Sequence, residues 1–128
     1  MQNKFTPMVI GIDIGACATK LAAVERGSVD IITNEANFRE TPTIVGYGEG
    51  ERKIGEIGGV KLKSNFKNTI VSPNRYLGLN ASHPLTKQEL SHCPCPSRFE
   101  GETLLFRVDV NGKEENFTPE QVLASFMT

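Results

Sequence analysis

The chain has 128 residues, of which 38% are hydrophobic and 23% are charged, and its formal net charge at pH 7 is -1. This length suits one domain with a substantial core, and the composition excludes a disordered or fibrous chain. The near-neutral charge gives no electrostatic reason to expect nucleic acid or an anionic membrane as a partner. No apolar run approaches the roughly 18 residues that a membrane helix needs.

The cysteines indicate a reducing compartment. Cys17, Cys93 and Cys95 are too few for a disulfide framework, and two of them are separated by a single residue. The N-terminus does not match a signal peptide, because Asp13 interrupts its apolar run and no compact basic region precedes that run. We therefore expect a cytoplasmic protein, or a soluble piece of something larger.

The first part of the chain predicts antiparallel strands. The stretches "MVIGIDIG", "ATKLAAVE" and "VDIITN" are strand-like apolar runs, with a tight turn at "RGS" (26–28) between the last two. The next stretch, "ETPTIVGYG", has Pro42 at the start of a strand and a glycine-rich turn after it. This pattern predicts a meander in which neighbouring strands run in opposite directions.

The middle of the chain predicts helices and then a loop. Apolar residues at helical spacing predict a helix over 54–65, although two consecutive glycines weaken it. A second, short helical segment is predicted within 68–78, and Gly78 suits a left-handed cap at its end. Segment 80–97 is rich in Pro, Ser, His and Cys and is predicted to be a loop.

The last part of the chain predicts a hairpin and a helix. In "TLLFRVDVNGKEENF", Asn111-Gly112 is the turn of a β-hairpin. Thr118 then serves as helix N-cap, Pro119 occupies the first helical position and Gln121 completes a capping box. The apolar face of this helix has hardly begun when the sequence stops, so we expect a missing C-terminal part. The predicted fold class is α/β, or α+β within this stretch of chain.

An acidic residue stands inside the first apolar strand. Burying an unpaired carboxylate is costly, so Asp13 is expected near the strand end, facing solvent or a cation. Gly15 and the small residues Ala16, Cys17 and Ala18 follow it, and such a turn would offer backbone N–H groups to a phosphate. The Asp13 carboxylate would then hold magnesium through water. A hairpin with small residues and a solvent-facing Asp explains the same motif equally well.

Further motifs resemble one family. The stretches "GIDIG", "VDIITNEANFRETPTIVGYG", "ERKIGEIGGVKLKSNFKNTIVSPNRYLG" and "FTPEQVLASF" resemble, in this order, the N-terminal part of the nucleotide-binding domain of the 70-kDa heat shock (Hsp70) chaperones. Only segment 80–97 matches poorly. "SNFKNT" (64–69) is more similar to the 110-kDa (Hsp110) branch, whose members act as nucleotide exchange factors and holdases.

The resemblance implies a fold, ligands and partners. The fold would be the actin and hexokinase-like ATPase architecture, with residues 1–128 forming the first part of lobe I and its peripheral subdomain. The second lobe and the adenosine pocket would be absent. The implied cofactors are ATP or ADP and Mg, and the implied partners are Hsp70-type chaperones, co-chaperones and unfolded clients.

Three residues depart from the family pattern. Ala16 and Cys17 occupy positions where the family's phosphate loop has threonine hydroxyls, and Asn74 occupies the position of its catalytic lysine. Replacing a fixed cation with an amide removes a contribution of about 10²- to 10³-fold in rate. We therefore expect even the complete protein to hydrolyse ATP very slowly while it binds Mg-ATP through Asp13, Gly15 and backbone amides.

Two alternative functions remain open. One is a pseudo-ATPase that acts as an exchange factor or co-chaperone through protein contacts, which the residues at positions 16, 17 and 74 favour. The other is a sugar-kinase-like phosphotransferase, since "GIDIGACATKLAAV" is also similar to sugar kinases. Residues 34–47 argue against it, because sugar kinases lack that pattern.

Other candidate sites are less specific. "HCPCP" (92–96) has zinc-ligand residue types, but Cys-x-Cys lacks the usual spacing and a surface loop is favoured. Cys17 is either an activated thiol or, as we favour, a small residue that fills a tight turn. Lys61, Lys63 and Lys67 form a basic cluster. They are expected on a solvated surface, as is Lys20.

Overall fold

The computed structural model describes residues 9–25 and 27–128, and the side chain of Glu25 is not described. Met8, in the first predicted strand, and Arg26, in the predicted turn 26–28, lie outside the described residues. None of the helices in the described part of the chain is long and apolar enough to cross a membrane. The elements are β1 Ile10–Ile14, β2 Ala18–Glu25, β3 Ser28–Ile32, β4 Thr41–Pro42, β5 Ile44–Gly46, β6 Lys53–Ile54, α1 Gly55–Val60, β7 Thr69–Val71, α2 Thr86–Leu90, β8 Ser97–Glu100, β9 Thr103–Val110, β10 Lys113–Phe117 and α3 Pro119–Met127, with 3-10 helices at Phe66–Asn68 and Pro73–Tyr76.

The first sheet confirms the predicted meander. Strands β1, β2 and β3 lie side by side in that order, and every neighbouring pair is antiparallel. The short strand β4 also pairs with β2, with Ala18 opposite Pro42. This pairing places β4 beside the β1–β2 turn, residues 15–18, which contains the small residues singled out from the sequence. We call residues 15–18 the β1–β2 loop.

The second sheet corrects two helix predictions. Its order is β6-β5-β7, again antiparallel. Helix α1 covers only the first half of the predicted 54–65 helix, because Gly58-Gly59 propagates a helix poorly. Turns follow it, as in the bond from the Ser64 N–H to the Lys61 carbonyl (3.1 Å). Residues 69–71 are a strand rather than part of a helix, since this β-branched run pairs with β5.

The third sheet is the predicted hairpin with one additional strand. Strands β8, β9 and β10 are antiparallel, and β9 is central. Asn111 and Gly112 have φ values of 55° and 77°, which confirms the predicted turn. The capping box of α3 is also confirmed, because Thr118 and Gln121 make both of its hydrogen bonds.

The prediction of a loop over 80–97 is wrong in part. This segment contains α2, and its last residue begins β8. Arg75 holds α2 by two hydrogen bonds to the Glu89 carboxylate, both 2.9 Å long. Cys95 is only 3% exposed and belongs to the core. The polar and proline-rich composition concealed these elements, because the contacts that order them come from distant parts of the chain.

The core lies between the second sheet, the hairpin and α3. Tyr76 packs edge-on against Phe106, with ring centroids 5.1 Å apart. Apolar residues of the first sheet are far more exposed, as in Ile10 at 50% and Ile12 at 51%. The β1–β2 loop is connected to the core by hydrogen bonds from Thr43, before β5, and from Ser72, after β7. The core residues are Val45, Tyr47, Ile70, Tyr76, Cys95, Leu104, Phe106, Val108, Val122 and Phe126.

Alkaline pH is expected to destabilise the protein through its buried titratable groups. Burial raises the pKa of the Cys95 thiol from its ordinary 9.0 to about 12, and it also raises the pKa of Tyr76. The unfolded chain therefore loses these protons at a lower pH than the folded chain does. The contribution of these groups to the free energy of unfolding is fully present below about pH 9 and is lost as pH rises from 9 to 12. Urea denaturation at pH 7, 9 and 10.5 measures this loss.

Two variants control this measurement. Cys95→Ala removes one of the responsible groups and should make the decline above pH 9 shallower, whereas Cys17→Ala, at an exposed position, should not. A free energy of unfolding that stays constant between pH 9 and 10.5 would contradict the prediction.

Candidate functional site

The β1–β2 loop is a tight turn that requires glycine at its first position. The Gly15 N–H donates to the Ala18 carbonyl at 3.1 Å and closes the turn. A Cβ atom at Gly15 would lie 2.7 Å from that same oxygen, which is closer than real Cβ contacts allow. The loop therefore keeps its backbone shape only with glycine at this position.

Thr43, immediately after β4, holds two carbonyls of the loop. Its hydroxyl donates to the Gly15 carbonyl at 2.8 Å, and its N–H donates to the Cys17 carbonyl at 3.1 Å. Because that hydroxyl proton is engaged, the Thr19 hydroxyl is the donor in the 3.1 Å bond between the two threonines. Thr43 is fully buried, so these hydrogen bonds are shielded from water.

Ser72 and Asn74 hold two further carbonyls, one in the loop and one at the end of β1. The Ser72 hydroxyl donates to the Ala16 carbonyl. Asn74 lies in the 3-10 helix that follows, and its Nδ2 donates to the Ile14 carbonyl at 3.3 Å. Four successive carbonyls, from Ile14 to Cys17, thus accept hydrogen bonds from outside the loop.

The N–H groups of the loop are oriented differently from its carbonyls. Within residues 9–25 and 27–128, the N–H groups of Ala16 and Cys17 donate no hydrogen bond. Asp13, at the end of the adjoining strand, is exposed and lies opposite Lys20 in the register. Lys20 forms a surface ion pair with Glu40 at 3.4 Å, as expected for a surface lysine. An exposed carboxylate thus lies in the strand that leads into the loop, three residues before the first of the two N–H groups.

The structure brings Asn74 to this loop, 60 residues away from Ile14 in the sequence. Its Oδ1 atom is buried and has no hydrogen-bond partner in the described part of the chain. The side chain carries no charge, so it offers an amide where the resemblance implies a lysine ammonium. Its Nδ2 donates to the Ile14 carbonyl at the end of β1, next to the loop, and its Oδ1 accepts no hydrogen bond from the described residues.

A second network positions β4 beside the loop. The Asn34 Nδ2 donates to the carbonyl of Glu40, the hydroxyl of Thr41 and the carboxylate of Glu56, the last at 2.9 Å. Its Oδ1 accepts the N–H of Phe38 at 3.0 Å. Two of the sequence motifs that carry the resemblance, 34–42 and 54–56, are thus joined by one amide side chain.

Sequence reasoning missed Thr43 and Ser72. Both lie next to motif residues, Thr43 after Thr41-Pro42 and Ser72 before Pro73-Asn74, but a lone hydroxyl residue carries no signal of its partner. Ser72 has a φ of 53°, which is unusual for a residue with a side chain. That conformation is not visible in the sequence.

The other candidate sites gain no support. In the part of the chain that the structure describes, "HCPCP" included, no three or more His, Cys, Asp or Glu residues are grouped so that they could hold a metal. Cys17 is an exposed free thiol within the turn. Lys61, Lys63 and Lys67 are exposed, as expected for a solvated surface.

Replacing Gly15 with alanine is expected to distort the β1–β2 loop. The new methyl group would force the Ala18 carbonyl to move, and overpacking of this kind costs about 1–3 kcal/mol. Urea denaturation measures the loss, and the NMR signals of residues 16–18 report the distortion. Gly11→Ala in β1 is the matched control, because its Cβ would meet nothing closer than 4.0 Å. Equal stability of the two variants would contradict the steric argument.

Comparison with known proteins agrees with this architecture. Residues 9–128 match the sequence profile of the family described as Hsp70 protein. The chain is 29% identical to Heat shock protein 110 of Caenorhabditis elegans over 121 residues, covering 94% of this chain and 16% of that protein. It is 33% identical to a heat shock protein homolog of Lachancea kluyveri over 118 residues, covering 91% of this chain and 17% of that protein.

A further relative is a heat shock protein homolog of Saccharomyces cerevisiae, which is 40% identical over 82 residues, or 64% of this chain and 12% of that protein. The chain thus spans about a sixth of the length of the first two of these relatives. The mixed α/β fold with several sheets is that of a fragment of the actin-like ATPase domain, and the profile match covers nearly every residue. The chain belongs to the Hsp70 protein family.

Proposed function

We propose that residues 1–128 are the N-terminal part of the nucleotide-binding domain of an Hsp110-like chaperone or co-chaperone. In this proposal the β1–β2 loop binds the phosphates of Mg-ATP or Mg-ADP, and ATP hydrolysis is weak or absent. The observation that carries the proposal is the arrangement of the loop. The carbonyls of Gly15, Ala16 and Cys17 accept hydrogen bonds from outside the loop, whereas the N–H groups of Ala16 and Cys17 donate none within the described residues.

The free N–H groups support phosphate binding. Successive backbone N–H groups in a tight turn form a concave site for anionic oxygens, and small side chains let a phosphate approach the backbone closely. Ala16 and Ala18 satisfy that second requirement. The loop lacks hydroxyl side chains, so its donors to phosphate would be backbone groups only.

The residues present also fit a hydrated magnesium ion. Asp13 would hold it through water, since Mg²⁺ usually retains several water ligands and one or two carboxylates in phosphate sites. When bound, the ion would neutralise phosphate charge. The position of Asp13 near the end of β1, just before the loop, supports this role.

Weak hydrolysis is inferred from the substitutions in the site. Asn74 provides no positive charge to stabilise the transition state, and its Nδ2 is engaged by the Ile14 carbonyl. Ala16 and Cys17 provide no hydroxyl to a metal or phosphate. We therefore assign the site to nucleotide binding rather than to efficient turnover.

The proposed cellular role is that of a cytoplasmic co-chaperone. The relative named Heat shock protein 110 supports the Hsp110 branch, as does "SNFKNT" at 64–69. The partners would be Hsp70-type chaperones and unfolded clients, and action as a nucleotide exchange factor through protein contacts is the second candidate function. Membership of the Hsp70 family argues against the sugar-kinase alternative.

An NMR titration tests the proposal on this chain. Amide signals are followed during addition of Mg-ATP and, separately, of magnesium alone. We expect saturable shifts confined to residues 13–18 with Mg-ATP, and a loss of this response in Asp13→Asn. Asp30→Asn, a second exposed strand aspartate, is the matched control and should respond like the unmodified chain. A well-dispersed spectrum without any response would contradict nucleotide binding by this part of the domain.

A further inference from the structure

Three carbonyls of the β1–β2 loop, those of Gly15, Ala16 and Cys17, accept hydrogen bonds from residues that do not belong to the loop. Thr43 is fully buried and donates to the carbonyls of Gly15 and Cys17. Ser72 donates to the carbonyl of Ala16, which lies between them. Together the two residues hold three consecutive peptide groups of the loop.

Thr43 and Ser72 are also bonded to each other. The Ser72 N–H donates to the Thr43 carbonyl at 2.8 Å, just beyond the pairing of β5 with β7. Ser72 adopts a left-handed backbone conformation with a φ of 53°, which is costly for a residue with a side chain. Such a conformation persists only where the surrounding contacts maintain it, and here it directs the hydroxyl to the loop.

Peptide planarity connects these bonds to the phosphate site. In a trans peptide group, the carbonyl of one residue and the N–H of the next point in opposite directions. Fixing the Gly15 carbonyl towards Thr43 therefore directs the Ala16 N–H away from it. In the same way, the bond from Ser72 to the Ala16 carbonyl directs the Cys17 N–H outward.

We infer that Thr43 and Ser72 are positioning residues, which orient the N–H groups of Ala16 and Cys17 towards a bound nucleotide phosphate. This inference rests on the proposed nucleotide site. The loop itself has no hydroxyl side chains. Thr43 and Ser72, which flank β5 and β7 of the second sheet, supply hydroxyl groups to its carbonyls instead. Each positioning residue controls a different N–H group, Thr43 that of Ala16 and Ser72 that of Cys17.

The test uses the full chain and two variants that remove one hydroxyl each, Thr43→Val and Ser72→Ala. Amide shifts and hydrogen exchange at Ala16 and Cys17 are measured first without ligand, and Mg-ATP affinity is then measured by NMR titration. Thr43→Val should alter the Ala16 amide most, and Ser72→Ala the Cys17 amide most. Each variant should weaken Mg-ATP binding about tenfold, as expected for one lost hydrogen bond to a constrained group.

The controls separate positioning from stability. Thr69→Val is matched to Thr43→Val, because Thr69 is equally buried and its hydroxyl also donates to a backbone carbonyl at 2.8 Å, that of Asn65. It should lower the free energy of unfolding without changing loop amides or Mg-ATP affinity. Thr43→Ser retains the hydroxyl and should restore the binding lost in Thr43→Val.

The outcomes are distinguishable from those of the nucleotide proposal. Unchanged Ala16 and Cys17 amides in both hydroxyl-deletion variants would overturn the inference regardless of any ligand. Altered amides with unchanged Mg-ATP affinity would overturn the positioning role. If the unmodified chain shows no response to Mg-ATP, the proposed nucleotide site fails and the positioning role fails with it, while the ligand-free amides still report whether the hydrogen bonds orient the loop.

Discussion

Under the proposed function, a complete nucleotide-binding domain with this chain as its N-terminal part is expected to hydrolyse ATP very slowly in a single-turnover assay, and Asn74→Lys is expected to accelerate hydrolysis by about tenfold or more. The reason is electrostatic. Asn74 reaches the β1–β2 loop but is uncharged, whereas a lysine ammonium at the same position would stabilise negative charge that develops on the transferring phosphate.

The expected gain is smaller than the full value of a catalytic cation. A fixed donor to a transition state contributes about 10²- to 10³-fold, but Asn74→Lys also removes the bond to the Ile14 carbonyl, and Ala16 and Cys17 remain without hydroxyls. Asn74→Gln is the matched control, because it changes length without adding charge, and it should show no acceleration. Robust hydrolysis by the unmodified domain that Asp13→Ala abolishes would show that the weak-hydrolysis proposal is wrong.

Replacing Phe106 with alanine is expected to lower the free energy of unfolding by about 3–5 kcal/mol. Phe106 is fully buried at the centre of β9, between Ser97 of β8 and Phe117 of β10, and it packs against Tyr76. The loss removes a large fraction of the roughly 5–15 kcal/mol that stabilises an ordinary domain. Urea denaturation followed by circular dichroism measures it.

Phe99→Ala on the same hairpin is the control for this prediction. Phe99 lies in the edge strand β8 and is 38% exposed, so its removal leaves a smaller cavity and should cost less than half as much. Comparable losses for the two phenylalanines would indicate that the core does not centre on Phe106. A loss below about 1 kcal/mol at Phe106 would contradict its place in the core.

Local features of the sequence determined the elements whose signals are themselves local. Asn111-Gly112 specified the hairpin turn, because both residues tolerate positive φ. Thr118 and Gln121 specified the start of α3 through a capping box that closes within one helical turn. The meander of the first sheet followed from three apolar runs separated by short turns. The family could also be identified from motifs that extend over nearly the whole chain.

Only the tertiary structure decided which residues contact the β1–β2 loop. Thr43 and Gly15 are 28 positions apart, Ser72 and Ala16 are 56 apart, and Asn74 and Ile14 are 60 apart. A hydroxyl or amide has the same local preferences wherever its partner lies, so no periodicity or propensity reveals such a contact.

The same limitation explains segment 80–97 and the strand at 69–71. Cys95 becomes a core residue, and α2 is held in place by Arg75, because distant segments pack against them. The short run at 69–71 forms a strand because β5 is available to pair with it. The sequence thus determined the fold class, the turn and cap residues and the family. Tertiary packing decided how the loop is oriented, because distant residues donate the hydrogen bonds that hold the Gly15, Ala16 and Cys17 carbonyls.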